Sequence, residues 1–214
     1  MSEFSINGQP ISRLMREGRF VDVAWQLWTG KQLDEKTRKL IETCLIASID
    51  HGEAPPSAQA TLGAASAGKS MSEAVAAGML TIGPKHGNAA GAAGRWVKEA
   101  LVSGVTADAF ASNAIGTGLR IPGIGHREYE IDPRTQEIIR QAKELLPSTK
   151  HLDFITEVSR AMTEKKGKAL PVNVDGAMGA LMVDMGESED LADMIFLCAR
   201  SFGLAFHASP NRTV

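Results

Sequence analysis

The sequence predicts an all-α protein, and three observations carry that expectation. Apolar side chains recur at spacings of three and four in segment after segment of the 214 residues. Helix-start residues (Asp34, Ser70, Thr106, Asp132-Pro133, Thr149, Ser188) stand just ahead of those runs. No segment keeps a period of two for long, no heptad persists and no long repeat is visible, so the chain reads as a globular helical bundle, not a coiled coil or a solenoid.

Residues 1–19 are polar and read as poorly fixed. Phe20, Ala24, Leu27 and Trp28 then share one helical face, closed by Gly30. Asp34 caps a second helix with Leu40, Ile41, Cys44, Leu45 and Ile49 on its inner face; Pro55-Pro56 cannot continue it. Residues 57–67 form a third helix ending at Gly68, and Ser70-Met71-Ser72-Glu73 is a capping box for a fourth, reaching Leu80. Residues 88–102 are helical again, with Gly91, Gly94 and several alanines making a narrow face that a neighbouring backbone can approach. A short helix starts at Thr106, another runs from Pro133 to before Pro147, and Thr149 opens one with Leu152, Ile155, Val158 and Met162 inward and Gly167 beyond its end. Residues 170–176 have a strand-like taste but are followed by an apolar helix over 177–185, and Ser188 caps the last helix, running towards His207.

A net charge of -2 leaves no electrostatic footprint for nucleic acid, and Lys165-Lys166-Gly167-Lys168 reads as a charged helix end. Cys44 and Cys198 both lie in apolar helical patterns and read as buried thiols of a reducing compartment. No apolar leader and no run of membrane-spanning length is evident, so the expected setting is cytoplasmic, with no membrane partner.

Chemistry concentrates at the helix breaks. Gly123-Ile124-Gly125-His126-Arg127 is a glycine-flanked histidine loop, and Asp132-Pro133-Arg134 puts a guanidinium in the first turn of a helix, where free N–H groups already favour an anion. His51, His86 and His207 also stand at or beside breaks, and Asp175 lies in the junction Asn173-Val174-Asp175-Gly176. Each has a plainer reading: a loop histidine is often solvated, and Asp175 is placed to cap the helix that follows. The four histidines at breaks (His51, His86, His126 and His207) are 35, 40 and 81 residues apart, without a close pair, which argues against zinc. No Gly-x-Ser-x-Gly elbow supports a serine hydrolase.

Taken in order, Asp50-His51-Gly52, Gly83-Pro84-Lys85-His86-Gly87, Gly123-Ile124-Gly125-His126-Arg127, Asp132-Pro133-Arg134, Asn173-Val174-Asp175-Gly176 and Ala199-Arg200-Ser201 resemble the citrate synthase superfamily, from about Phe20 to the end. Ala67-Gly68-Lys69, residues 78–83, Asn173-Val174-Asp175-Gly176 and Val183-Asp184-Met185 lean towards citryl-CoA lyase and the citrate-synthase-like domain of ATP citrate lyase.

The resemblance implies an all-α homodimer whose large lobe (1–87 with 181–214) and small lobe (88–180) close over the substrates. It implies Claisen-type chemistry on a coenzyme A thioester that is a substrate, with no tightly bound cofactor and no metal. Asp175 would be the carbon-acid base, His86 the donor to the thioester enolate and His126 the acid facing the keto group of oxaloacetate. His51, Arg134 and Arg200 would bind substrate carboxylates, and Lys69, Lys85 and Arg127 would contact coenzyme A.

Some residues depart from the family pattern. The step from His126 to Arg134 is one residue short, Glu130 stands where a lysine is usual, and His86 is more synthase-like than lyase-like. Arg212 is the one candidate for the arginine that reaches a partner's site. Three functions follow: cleavage of citryl-CoA to acetyl-CoA and oxaloacetate, condensation by a short citrate synthase, or a non-catalytic helical module, which the intact set His86, His126 and Asp175 disfavours. The small-residue segments 58–67 and 89–94 are the expected dimer interface.

Overall fold

In the computed structural model, which describes residues 3–210, the core forms where small-residue helices cross. A β-hairpin of β1 (Ser5–Ile6) and β2 (Gln9–Pro10) leads into helix α1 (Ile11–Glu17), so the N-terminal stretch is ordered structure that its polar composition did not announce. Helix α2 (Phe20–Thr29) ends on Gly30 in the left-handed region, φ 72°. Its buried residue is Trp25, flanked by Val21 and Trp28 against the core. Phe20 and Leu27 are exposed, because on ten residues the stripe through Trp25 is the one that meets the neighbouring helix.

Helix α3 (Glu35–Ser48) starts at Asp34, whose carboxylate accepts the Thr37 N–H at 2.8 Å, and it buries Leu40, Ile41 and Cys44. Helix α4 (Pro56–Ser66) has proline at its first position, and α5 (Met71–Leu80) carries the complete Ser70/Glu73 capping box. Next come α6 (Ala90–Ser103), α7 (Ala107–Thr117) and α8 (Pro133–Leu145), with Thr106 and Asp132 capping the last two. Helices α9 (Lys150–Lys166), α10 (Val174–Asp184) and α11 (Asp190–Ala208) complete the order. Helix α10 is buried on nearly every side, and α9 turns Leu152, Ile155, Val158 and Met162 inward as expected.

The narrow face of α6 is used within the chain. A Cβ on Gly179 of α10 would stand 2.1 Å from the Ala90 oxygen, and one on Gly94 would stand 2.8 Å from the Gly179 oxygen. Ala90, Ala93 and Gly94 are therefore covered by α10, and the expected interface role of segment 89–94 does not apply to that face. Helix α11 is long and apolar enough by composition to cross a membrane, yet half of it lies in the core against its neighbours. Cys44 is buried and its thiol is pushed up to about 12, but Cys198 is exposed, because it faces away from the stripe of Ile195, Ala199 and Leu204.

Two expected caps are not formed, and a distant residue takes the place of one of them. Neither Thr149 nor Ser188 caps a helix through its side chain: Thr149 Oγ1 donates to Asp153 at 3.0 Å. Instead Asp184, at the end of α10, accepts the His151 and Leu152 N–H groups (3.0 Å each) at the start of α9. It also binds His151 Nδ1 at 2.8 Å. The Asp184 side chain is 1% exposed, so removing it strands several polar partners in the core. Asp184→Ala is expected to lose about 2–3 kcal/mol of stability in urea denaturation, more than an exposed cap costs.

Candidate active site

One cavity of about 260 Å³ gathers most of the singled-out residues: His51, Lys85, His86, His126, Arg127, Arg134, Asp175 and Arg200. Arg120, Glu128, Asn173 and Phe196 line it as well. Lys69 lies elsewhere, exposed and 3.5 Å from Glu73, and Glu130 is not on the wall. Arg212 lies outside the described residues.

The His126 loop is docked onto the start of α10 by two backbone hydrogen bonds and one from a side-chain amide. Gly125 N–H donates to the Pro171 carbonyl (2.7 Å), Asn173 N–H to the Gly123 carbonyl (3.0 Å), and Asn173 Nδ2 to the Gly125 carbonyl (2.9 Å). Residues 170–173 thus hold a single bridge, Ile124 to Val172, in place of a strand. Gly123 has φ +84°, and a Cβ on Gly176 would stand 2.3 Å from the Gly123 oxygen, so both positions need glycine.

Asn173 is the cap of α10, accepting the Gly176 N–H at 3.1 Å, and the helix begins at Val174, three residues earlier than expected. Asp175 is therefore free of the capping role that the sequence left open. Its Oδ1 is buried with no hydrogen-bond partner. Burial, reinforced by the charge of Asp193, pushes its carboxyl up to about 6.

Both loop imidazoles have one nitrogen tied by donors. His126 Nδ1 accepts the N–H groups of Glu128 and Tyr129, each at 3.1 Å, which leaves the proton on Nε2. That Nε2 lies 3.4 Å from the Arg134 guanidinium. His86 Nε2 receives the Ser57 N–H at 3.4 Å and lies 2.9 Å from Ser57 Oγ, which puts its proton on Nδ1. Burial holds both histidines below their ordinary value, as it does His51, with nearby guanidinium groups adding to the effect. They are neutral donors at neutral pH.

The two arginines differ. Arg134 is clamped by fully buried Asp132 through two bonds, Nε at 3.0 Å and an outer nitrogen at 2.7 Å. Arg200 is 3% exposed; its Nε donates to the Ser48 carbonyl at 3.1 Å and its guanidinium lies 4.9 Å from the Phe196 ring centre. Among the described residues no carboxylate is within ion-pair distance of Arg200, so a buried cation waits on an anion. His51 completes this end, 3.6 Å from Glu128 and edge-on to His126 at 5.4 Å.

Sequence reasoning missed Ser57, Arg120 and Asp193. Ser57 carried one signal, its place in the first turn behind Pro55-Pro56; Asp193 carried none, because an acidic residue in the first turn of a helix, here α11, is ordinary.

Against known proteins, a family model described as citrate synthase, C-terminal domain, matches residues 2–213. A citryl-CoA lyase from Hydrogenobacter thermophilus is 34% identical with a TM-score of 0.86, covering 96% of this chain and 81% of that one. An ATP citrate lyase mutant from Methanosaeta concilii, solved with (3S)-citryl-CoA, is 31% identical with a TM-score of 0.86, over 94% of this chain and 35% of that one. ATP-citrate synthase beta chain protein 1 of Arabidopsis thaliana is 33% identical over 94% of this chain. The chain spans 36% of the length of that curated relative.

Because the folded state raises the Asp175 carboxyl, the fold binds its proton more tightly than the unfolded chain does. Stability from this group is fully present at low pH and falls as pH rises towards 6. Asp175→Asn is therefore expected to be more stable than the parent at pH 8, by up to about 3 kcal/mol, with the gap closing near pH 4. Thermal melts at the two pH values measure it; a variant less stable than the parent at pH 8 contradicts the unpartnered carboxylate.

Proposed function

Since the chain belongs to the citrate synthase family of enzymes, we propose that it is a citryl-CoA lyase-type enzyme, cleaving citryl-CoA or a related 3-hydroxy-acyl-CoA acid to acetyl-CoA and oxaloacetate. The observation that carries this reading is the pairing, in one cavity, of an unpartnered carboxylate with a raised pKa and two neutral imidazoles that each keep one N–H free. The likeness to the lyase over most of both chains supports the direction.

Each residue then has a task. In the condensing direction Asp175 takes a proton from the thioester methyl, and the enolate oxygen is held by His86 Nδ1–H. The enolate carbon attacks the keto carbon of oxaloacetate, whose oxygen takes the proton of His126 Nε2. Cleavage retraces these steps from the form in which condensation ends, with the proton on Asp175 and none on His126 Nε2. The hydroxyl proton passes to Nε2 as the carbon–carbon bond breaks, and Asp175 gives its proton to the enolate carbon, which restores the ionised Asp175 and neutral His126. Arg134, Arg200 and His51 hold the carboxylates, with Arg134 pre-aimed by Asp132 and Arg200 already desolvated. Lys85 and Arg127, joined by Arg120, are the cationic side chains of the cavity that we assign to the coenzyme A phosphates; Lys69 stands outside the cavity.

The wall draws on both assigned lobes, 1–87 with 181–214 and 88–180, which suits closure over a substrate. We assign the working form as a cytoplasmic homodimer, supported by Phe202 and Phe206 on α11 and Ile46 on α3, all exposed. A short citrate synthase is the second reading, favoured by His86 in the cavity.

One assay separates the two. With citryl-CoA, a lyase releases oxaloacetate without free CoA; with acetyl-CoA and oxaloacetate, a synthase releases free CoA. Oxaloacetate from citryl-CoA is the expected result, and free CoA as the main product of the second mixture overturns it.

The reaction takes up no net proton, so cleavage and condensation share one pH profile. Asp175 must be ionised in the free enzyme for condensation, so kcat/KM is expected to fall about tenfold per unit as pH drops below a midpoint near 6. Asp175→Asn should abolish that limb and lower turnover by roughly 10²–10⁴-fold while ligand binding survives.

A further inference from the structure

We propose that Asp193 is a positioning residue that ties the His86 loop to the helix carrying Asp175; this rests on the reaction assigned above. The His86 loop is closed on itself by two backbone bonds of 2.8 Å between Gly83 and His86. It then runs straight into α6, whose own N-cap residue, Ala89, offers no side-chain acceptor. Asp193 of α11 supplies it: one carboxylate oxygen accepts the Ala90 N–H at 3.0 Å and the Gly91 N–H at 3.1 Å. The Asn88 amide, turned with its nitrogen towards Asp193, donates at 3.2 and 3.3 Å. Three residues along α11, Phe196 fills the space over Gly87, where a Cβ would stand 2.4 Å from the ring. Helix α11 thus grips the segment after His86 at two points.

The same junction reaches Asp175. Ala90 gives its N–H to Asp193, while its oxygen lies against Gly179 of α10, one turn beyond Asp175. The two carboxylates share the place where α6, α10 and α11 meet. Facing Asp193 are Arg95 from α6 and Asp190 from its own helix. Facing Asp175 are Asp193 and Arg200 from α11 and Arg134 from α8. Burial is the main cause of the raised Asp175 carboxyl, and the Asp193 charge adds to it. A loop that moved with Asp193 would therefore carry the enolate donor and the tuning of the base together.

Two variants divide the claim. Asp193→Asn keeps an oxygen for the Ala90 and Gly91 N–H groups and removes the charge; Asp193→Ala removes both. The titration of Asp175, followed by carboxyl carbon NMR with Asp175→Asn as the assignment control, is expected to shift down by about half a unit or more in Asp193→Asn. Asp193→Ala is expected to lower kcat about tenfold or more, with KM for citryl-CoA little changed and the His86 ring resonances displaced. An unchanged Asp175 midpoint in Asp193→Asn, or parent kcat and parent His86 resonances in Asp193→Ala, overturns the proposal. If the parent turns over no citryl-CoA while the NMR shift and the His86 displacement are both seen, the reaction assignment fails and the role of Asp193 stands.

Discussion

The site depends on one contact between two glycines. Gly123 and Gly176 bring a loop and a helix start so close that a single added carbon on either would overlap backbone of the other. Everything aimed into the cavity from that side follows from this contact. Gly125 and Asn173 complete the docking by hydrogen bonds, His126 is held by the turn that follows, and Asp175 sits one residue before Gly176. The contact has no side chain to relax, so it fixes the distance between acid and base more tightly than packing would.

The electrostatics of the cavity are unbalanced. Arg200 is desolvated with no carboxylate at ion-pair distance among the described residues, Asp175 Oδ1 is buried without a hydrogen-bond partner, and three imidazoles are held neutral by burial. Buried groups in that state are costly unless a ligand completes them. Arg134 shows the contrast: Asp132 satisfies it, caps α8 with the same carboxylate and leaves it pointed at the wall. One arginine is thus rigid and partly neutralised, the other buried and open to an anion.

Distant acidic residues finish what local sequence begins. Asp184 closes the start of α9 and Asp193 that of α6, each from a different helix. These contacts knit α6, α9, α10 and α11 into one frame around the cavity. They also explain why an aspartate in the first turn of α11 matters without any motif to mark it: its partner is 103 residues away along the chain.

The helices were legible because their causes are local. Asp34, Ser70, Thr106 and Asp132 cap through bonds two or three residues long, and apolar spacing marks the inner face of α9. The ordered motifs at the breaks also identified the residues that share the cavity, because loops and helix ends leave side chains free of packing. The face of α2, the exposure of Cys198, the start of α10 and the caps of α6 and α9 were decided by the tertiary structure. In each of these a residue's state is set by which helix lies against it. The same holds for Asp175: its type and place were in the sequence, but its lack of a partner and its raised pKa arise only when α6, α8, α10 and α11 enclose it.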